Sequence, residues 1–213
     1  LEKKNILDCG CGEGYNSREM ANVAEKVVGY DINQDDHWPD RAKENLFLTN
    51  DKELVAEHAP YHFIVLYDVI DHLQGEDPEV FMQWVSSVLH EHGQIFVRAH
   101  PWTSKTGGHF YETVNKAWVH LALTTDELIK AGMKATEPNV RAVRPMAAYE
   151  EWFKSAGLTV KSKQVKADYV DNFFMNSGLL DRIIKVTWGG EIEAETAKMI
   201  MSNSWIDYLL KKN

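Results

Sequence analysis

The residues best suited to chemistry stand near the start of the chain, in segment 8–14, which reads DCGCGEG. The segment follows a short apolar run and precedes a helix-compatible stretch at 15–24. Glycine has no Cβ, so glycines at alternate positions let the backbone turn tightly and approach a ligand closely. Between a strand and a helix, such a turn presents amides to the polar groups of a nucleotide cofactor. The predicted cofactor-binding residues of this turn are Asp8, Gly10, Cys11, Gly12 and Gly14.

The spacing of this turn also indicates which cofactor it binds. A dinucleotide fingerprint reads G-x-G-x-x-G, whereas this turn reads G-x-G-x-G with an acid two residues before the first glycine. The pattern D-x-G-x-G-x-G resembles motif I of the class I S-adenosylmethionine-dependent methyltransferases. In that family the glycine turn lies against the amino-acid part of the cofactor. The resemblance therefore implies S-adenosyl-L-methionine rather than NAD.

A second acid stands at the expected distance from the glycine turn. The β-branched run at 26–32, KVVGYDI, ends in Asp31 and Ile32. In Rossmann-type folds an acid at the tip of the second strand, roughly 20 residues on, accepts hydrogen bonds from ribose hydroxyls. Asp is also common in plain turns, which is the alternative explanation. With the glycine turn in place, ribose binding by Asp31, with Ile32 beside it, is the favoured prediction.

Later motifs extend the resemblance over most of the first 100 residues and over 147–188. Segment 68–73, DVIDHL, resembles the family's motif after the fourth strand, and 89–95 resembles the approach to the fifth. By the same resemblance, Asp68 belongs to the cofactor pocket, and Asn50 and Asp51 stand where the family often contacts adenine. Both Asn50 and Asp51 are equally suited to begin a helix as N-caps, and that alternative stays open.

Catalytic candidates must stand near the ends of the fourth and fifth strands. Methyl transfer needs an acceptor held in line with the sulfonium methyl, and it often needs removal of a proton. Histidine titrates near neutrality, so His72 or His100 could act as a general base. Asp68 is better suited to orient the substrate than to take a proton. Further polar residues expected nearby are Asp71, Arg98, His109 and Tyr111.

The order of predicted elements is that of a doubly wound α/β domain with a mostly parallel seven-stranded sheet and helices on both faces. After the first two strands, apolar runs predict further strands at 45–49, 62–67, 93–99, 158–165 and 183–188. Helices are predicted at 78–91, 146–156 and 191–210 from their apolar spacing. The expected domain is 1–213, with a C-terminal helix in 191–213.

A long insertion, 101–145, separates the fifth strand from the next predicted helix. It carries an amphipathic stretch around Trp118 and Leu121, and then a helix that opens at Thr124 with Glu127 as its capping-box partner. An insertion of this length above the strand ends is typical of a lid or a substrate-recognition element. Covering the edge of the sheet is the alternative role.

Composition limits the function further. The chain has 213 residues, 44% of them hydrophobic and 26% charged, and it has no run near the ~20 apolar residues that span a membrane. Its two cysteines both lie in the glycine turn, so we expect no disulfide, no metal site and a cytoplasmic location. A formal charge of −9 argues against a large nucleic-acid interface.

Three functions remain open at this point. The favoured one is methyl transfer to a small organic molecule, enclosed by the aromatic residues of the insertion. An RNA-cap methyltransferase domain of a larger protein is the second, since the chain does not begin with Met. The RNA 2′-O-methyltransferases have a Lys-Asp-Lys-Glu tetrad, in which Asp68 fits but Arg98 stands for a lysine. The third is a non-catalytic domain that binds the cofactor or a partner. The oligomeric state is not predicted.

Overall fold

The strands form one mixed sheet in the order β3-β2-β1-β4-β5-β7-β6. The computed structural model describes residues 4–41, 43–73, 77–110, 114, 116–133, 144–168 and 178–213. The seven strands of this described part are β1 Asn5–Cys9, β2 Lys26–Tyr30, β3 Leu46–Thr49, β4 Tyr61–Tyr67, β5 Leu89–Ala99, β6 Leu158–Ala167 and β7 Asn203–Lys212.

Strands β3, β2, β1, β4 and β5 are parallel, and β7 pairs antiparallel with both β5 and β6. The predicted mostly parallel sheet is therefore confirmed. The chain winds outward from β1 to β3 in one direction and from β4 to β5 in the other. This reversal leaves a crevice at the carboxyl ends of β1 and β4, which is where ligands bind in open α/β sheets.

Helices pack on both faces of the sheet, as predicted. The described helices are α1 Tyr15–Met20, α2 Lys52–Glu57, α3 Pro78–Val88, α4 Val119–Ala122, α5 Thr125–Lys130, α6 Met146–Ser155, α7 Leu179–Trp188 and α8 Ala194–Met201. Ile6 and Val27 point to the face covered by α1, whereas Leu7 and Val28 point to the larger core under α3 and α6. This alternation of neighbouring side chains is what a sheet buried on both faces requires.

The predicted strand at 183–188 is wrong, because this segment is the second half of α7. Its run of β-branched residues suggests a strand, yet the buried positions Leu180 and Ile183 are three apart, a helical spacing. Both side chains pack against Trp118 and Leu121 of the insertion. Tertiary packing on one side of the segment therefore overrides its local strand preference.

The predicted helix at 191–210 is also wrong beyond its first half. Helix α8 ends at Met201, and β7 follows from Asn203 to Lys212. The buried residues Ser204, Ile206, Tyr208 and Leu210 alternate along β7, which is the period of a strand. Sequence 203–212 therefore supplies the seventh strand, and it lies between β5 and β6.

Other predicted boundaries are close to those observed. Helix α3 ends at Val88, three residues before its predicted end, because β5 begins at Leu89 rather than at 93. The capping box of Thr124 and Glu127 is present at the start of α5. Gly157 follows α6 with a φ of 71°, a left-handed conformation that glycine adopts without strain.

The insertion forms a helical unit together with the segment between β6 and β7. A shared apolar cluster joins Trp118 and Leu121 of the insertion to α7 and α8. Arg182 of α7 ties the unit together, since its guanidinium donates to the Glu127 carboxylate at 2.6 and 2.7 Å and to the Ala122 carbonyl at 3.0 Å. Tyr111 and residues 134–143 of the insertion lie outside the described residues. No helix among the residues described is long and apolar enough to cross a membrane.

His120 makes this helical unit sensitive to acid. Its ring is buried, which lowers its pKa to about 4, and its Nε2 lies 2.6 Å from the Trp102 carbonyl. The folded protein keeps His120 neutral, whereas the unfolded chain protonates it below about pH 6.5. The contribution of His120 to the free energy of unfolding is therefore fully present above about pH 6.5, and it is lost as the pH falls towards 4. We expect His120→Gln, which keeps a donor for Trp102, to reduce the loss of unfolding free energy between pH 7.5 and 4.5 by roughly 2–3 kcal/mol. Urea titrations at both pH values measure it, and equal losses in the two proteins would contradict it.

Candidate cofactor and active site

The glycine turn is held at the carboxyl end of β1 by β2. The amides of Gly10 and Cys11 both donate to the Tyr30 carbonyl, at 2.7 and 3.0 Å. Gly10 has a φ of 81°, and a Cβ on it would lie 2.3 Å from Cγ2 of Val69, in the loop after β4. Only glycine fits between these two loops, so its position in the motif has a steric cause.

The Asp31 carboxylate accepts a hydrogen bond from the next amide of the turn, that of Gly12. Its Oδ2 accepts a hydrogen bond from the Gly12 amide at 3.0 Å, and its Oδ1 accepts one from the Asn33 amide at 3.0 Å. Each carboxylate oxygen has further lone pairs for a ligand. The two predicted motifs are thus joined by a direct contact, and Asp31 lies at the edge of the crevice.

A cavity of about 460 Å³ opens beside this turn. Its floor and walls come from the ends of β1, β2 and β4 and from α3. The lining residues are Cys9, Gly10, Tyr30, Asp31, Ile32, Asn33, Asp68, Val69, His72, Leu73 and Phe81. Of the predicted site residues, it brings together Gly10, Asp31, Ile32, Asp68 and His72.

The cavity fits an adenosyl cofactor. Its volume falls within the roughly 300–1,000 Å³ of small-molecule sites. Asp31 offers a carboxylate for the ribose hydroxyls at one side. Ile32 lines the cavity although its side chain is 66% exposed, and Leu73 and Phe81 add apolar surface suited to a base ring. Asp68 and His72 supply the polar end.

The other four predicted residues of the turn, Asp8, Cys11, Gly12 and Gly14, do not line this cavity. Asp8 is buried beneath the turn, where its Oδ2 accepts a 2.6 Å hydrogen bond from Ser17 of α1. Burial raises the pKa of Asp8, and the Ser17 hydroxyl opposes that rise. Burial, together with Asp8 and Asp31, raises the pKa of the Cys11 thiol to about 12, so that sulfur is not a nucleophile. Gly14 begins α1 with a φ of 79°.

Asn50 and Asp51 lie past β3 and also do not line the cavity. Asp51 is the N-cap of α2, because its side chain accepts a hydrogen bond from the Glu53 amide at 2.8 Å. The alternative role considered for Asp51, helix capping, is confirmed. A contact of either residue with adenine stays a prediction.

A cluster of acids and histidines lies at the carboxyl ends of β4 and β5. His100 donates its backbone amide to Oδ2 of Asp71 at 3.0 Å, and its Nε2 lies 3.8 Å from Oδ1 of Asp68. His109 of the insertion stacks on His72, with ring centroids 4.3 Å apart, and its Nε2 lies 3.9 Å from Oδ2 of Asp71. The insertion therefore reaches the polar end of the cavity.

Burial governs the protonation of this cluster. It raises the pKa of Asp71, against the opposing effect of the His100 amide, and it raises the pKa of Asp68, which His100 and His72 oppose. Burial, with His72 and His100 nearby, lowers the pKa of His109 to about 3. The His109 ring is therefore neutral at physiological pH.

Arg98, at the end of β5, forms a salt bridge with Asp207 of β7. Its Nε and one terminal nitrogen donate to the two oxygens of Asp207 at 2.6 Å each, and the other donates to the Tyr67 hydroxyl at 2.8 Å. This pairing raises the pKa of Arg98 further above its ordinary value. Arg98 therefore joins β5 to β7, and it cannot act as the titratable lysine of the RNA-type tetrad.

Several residues at the site were not predicted from the sequence. Ser17 is the partner of Asp8, and Trp38 donates its ring N–H to the Gly12 carbonyl at 2.8 Å. Val69 and Phe81 line the cavity from the fourth strand's loop and from α3. Position alone could have suggested Val69, within the DVIDHL segment. Ser17, Trp38 and Phe81 carry no motif, and only the packed fold brings them to the site.

Comparison with known proteins agrees with this geometry. A family model described as a methyltransferase domain matches residues 1–163. The ubiquinone biosynthesis O-methyltransferase of Photorhabdus laumondii is 27% identical over 154 residues, which cover 67% of this chain and 57% of that protein. The protein of the same name from Pseudoalteromonas translucida is 25% identical over 174 residues, covering 76% of this chain and 66% of that protein.

Solved structures share the fold. An S-adenosylmethionine-dependent methyltransferase from Mesorhizobium loti has a TM-score of 0.60 at 11% identity, with 100% of this chain and 92% of that chain covered. A methyltransferase of the same cofactor class from Listeria monocytogenes has a TM-score of 0.58 at 11% identity, with 100% and 91% covered. The chain belongs to the methyltransferase domain family, and it has the fold of the solved methyltransferases that depend on S-adenosylmethionine.

Proposed function

We propose that this chain transfers a methyl group from S-adenosylmethionine to a hydroxyl oxygen of a small organic acceptor. The observation that carries the proposal is the stacking of His109, from the insertion, on His72, which lines the cofactor cavity. It brings the insertion to the polar end of the cavity, where an acceptor would meet the methyl group. The relatives named as O-methyltransferases of ubiquinone biosynthesis support a small acceptor and an oxygen atom.

In this proposal the cofactor's two ends are held by different residues. Gly10 and its neighbours in the turn would approach the amino-acid part, and Asp31 would accept from the ribose hydroxyls. Ile32, Leu73 and Phe81 would enclose the base. Bound there, S-adenosylmethionine supplies an electrophilic methyl group on its sulfonium.

The catalytic residues in this proposal are Asp68 and His72. Both line the cavity, so both can reach an acceptor hydroxyl placed beside the methyl group. Asp68 would accept a hydrogen bond from the hydroxyl and orient its oxygen, and His72 would take the proton at a ring nitrogen. His100 does not line the cavity, and its Nδ1 lies 2.8 Å from the Ser204 carbonyl. It is a positioning residue for Asp68 rather than a second base.

The insertion and α7–α8 would act as the acceptor's enclosure. The insertion excludes water from Asp71 and His109, whose side chains are both 0% exposed, whereas the side chains of Asp68 and His100 stay 34% and 21% exposed. Exclusion of water strengthens each electrostatic contact with the acceptor. Free Cys9 and Cys11 suit a reducing compartment, and we propose a cytoplasmic location on that ground.

The His72→Gln variant tests the assignment of the base. We expect kcat to fall about 100-fold, because a positioned base contributes at least that much to proton removal. The affinity for S-adenosylhomocysteine should change less than about threefold, since Gln keeps the size and polarity of the side chain. Single-turnover kinetics and calorimetry measure the two effects. An unchanged kcat would remove His72 from the reaction.

The acceptor class is tested by transfer of labelled methyl groups. The purified protein is incubated with labelled S-adenosylmethionine and, separately, with phenols and catechols, with a pooled metabolite extract, and with capped RNA. Label in a small hydroxylated product supports the proposal. Label in capped RNA alone would replace it with the RNA function, which Arg98 disfavours through its pairing with Asp207. Cofactor binding without any transfer would indicate a non-catalytic domain.

A further inference from the structure

The acid and histidine cluster has the composition of a metal site. One ligand atom each of Asp71, His72 and His109 lies within 4.8 Å of the others, and the same holds for Asp68, Asp71 and His100. The two groups share Asp71, so the cluster holds five candidate ligands, four of them around the Asp71 carboxylate. Ligands of one cation bound at about 2.1 Å lie no more than about 4.2 Å apart. Shifts of less than an ångström would bring the ligand atoms of either group within this distance, and the stacked rings of His72 and His109 would also have to tilt towards a shared cation.

The burial of Asp71 is the observation that points most clearly to a cation bound in this cluster. Its side chain is fully buried, and its Oδ1 accepts no hydrogen bond from any residue in the described part of the chain. A buried carboxylate oxygen without a donor is costly, because it has lost its water and gained nothing in return. A cation between Asp71 and its histidine neighbours would remove that cost.

Two residues of the cluster have a strained backbone. Asp68 and His109 have φ angles of 55° and 50°, and among the described residues only Trp118 is another non-glycine residue with positive φ. Such conformations cost about 1–3 kcal/mol and concentrate at functional sites. Two of the three described non-glycine residues with positive φ are therefore neighbours of Asp71.

His100 has the tautomer of a metal ligand. Its Nδ1 lies 2.8 Å from the Ser204 carbonyl, which can only accept, so Nδ1 carries the proton. Its Nε2 is then a lone-pair nitrogen, and it faces Asp68 at 3.8 Å. Metal-binding histidines are commonly oriented by such a carbonyl behind the ring.

We propose that Asp71, His72 and His109 bind a divalent cation, with Asp68 and His100 beside it, at the acceptor end of the cofactor cavity. Mixed carboxylate and imidazole ligands suit a borderline cation such as Mn²⁺ or Zn²⁺. This site revises the expectation of no metal, which considered the two cysteines and not the fold.

The inference rests on the proposed function and deepens it. Because His72 lines the cavity, a cation on it would stand within reach of the acceptor's hydroxyl oxygen and would polarise the O–H bond. The proton would pass to the Asp68 carboxylate while the oxygen keeps the electron pair. With the cation bound, two roles in the proposed function change: His72 would bind the cation instead of taking the proton, and Asp68 would take the proton.

Binding of Mn²⁺ to the metal-stripped chain tests the site without any assay of activity. Free Mn²⁺ is followed by electron paramagnetic resonance in the presence of S-adenosylhomocysteine, with Zn²⁺ and Mg²⁺ titrated in parallel by calorimetry. We expect one saturable site per chain. Asp71→Asn keeps an acceptor for the His100 amide but loses the charge, and it should weaken binding at least tenfold. His109→Asn, in which asparagine tolerates the positive φ, and His72→Gln should do the same.

The matched control is Glu91→Gln, which alters an exposed carboxylate beside His92 at the other end of β5 and should leave binding unchanged. Saturable binding of Zn²⁺ or Mg²⁺ in place of Mn²⁺, with the same pattern among the variants, also supports the site. Absence of saturable binding for all three cations, or equal affinity in wild type and in His72→Gln, would overturn it. Methyl transfer that persists unchanged after metal removal would overturn the cation's role in the reaction and leave the proposed function standing. Cation binding without transfer to any acceptor would overturn the proposed function alone.

Discussion

Gly10→Ala is expected to weaken binding of S-adenosylhomocysteine about 100-fold or more. The new Cβ would lie 2.3 Å from Cγ2 of Val69, too close for any real contact, and alanine at a φ of 81° is strained by itself. Relief requires the glycine turn and the loop after β4 to move apart. Both line the cofactor cavity, so a strain of roughly 3 kcal/mol appears as lost affinity.

Two variants separate the steric effect from the backbone effect. Gly157→Ala has a similar φ of 71°, but its Cβ would have no atom within 4 Å, and it lies away from the cavity. It should lower stability by about 1 kcal/mol and leave affinity unchanged. Gly10→Ala combined with Val69→Ala removes Cγ2 and should bind more tightly than Gly10→Ala alone. Calorimetric titration measures all three, and full affinity in Gly10→Ala would show that the turn does not contact the cofactor.

Asp31→Asn is expected to lower affinity for the same ligand by about 10–100-fold. Asp31 accepts the amides of Gly12 and Asn33 on its two oxygens, whereas asparagine has one acceptor oxygen and turns an NH₂ group towards the other amide. The charge-assisted hydrogen bonds to the ribose hydroxyls are lost as well, and bonds of this kind contribute roughly 1.5–3 kcal/mol.

The control for Asp31 is Asp51→Ser. Serine keeps the N-cap of α2, and Asp51 does not line the cavity, so affinity should change less than about threefold. A loss as large as that of Asp31→Asn would instead support the predicted adenine contact of Asp51. Equal affinity of wild type and Asp31→Asn would remove the ribose contact from the account.

The positions of Gly10 and Asp31 beside the cavity were predictable from the sequence, and their contacts with a cofactor stay predictions. Gly10 and Asp31 stand in contiguous motifs whose strand and turn are encoded within a few residues. The structure adds the physical reasons for these two positions. A Cβ on Gly10 would clash with Val69, and Asp31 accepts a hydrogen bond from the Gly12 amide, so each contact joins segments that are separate in the sequence. Those contacts need the folded sheet and leave no pattern in the chain.

The cluster of acids and histidines at the polar end of the cavity was predictable only in part. His72 and Asp68 were identified by their place after β4, but the burial of Asp71 and the stacking of His109 on His72 follow from the insertion folding back over the strand ends. The errors at 183–188 and 191–210 have a related cause. Helix α7 is stabilised by its contacts with the insertion, and β7 by pairing with strands more than 30 residues away, so local preference misled both predictions.

Calorimetric titration of the purified chain with S-adenosylhomocysteine, S-adenosylmethionine and NAD tests whether the cavity beside the glycine turn binds an adenosyl cofactor. We expect saturable one-to-one binding of both adenosyl compounds, weakened together in Gly10→Ala and Asp31→Asn, and no measurable binding of NAD. Tighter binding of NAD, or adenosyl binding that neither variant weakens, would contradict the assignment of this cavity.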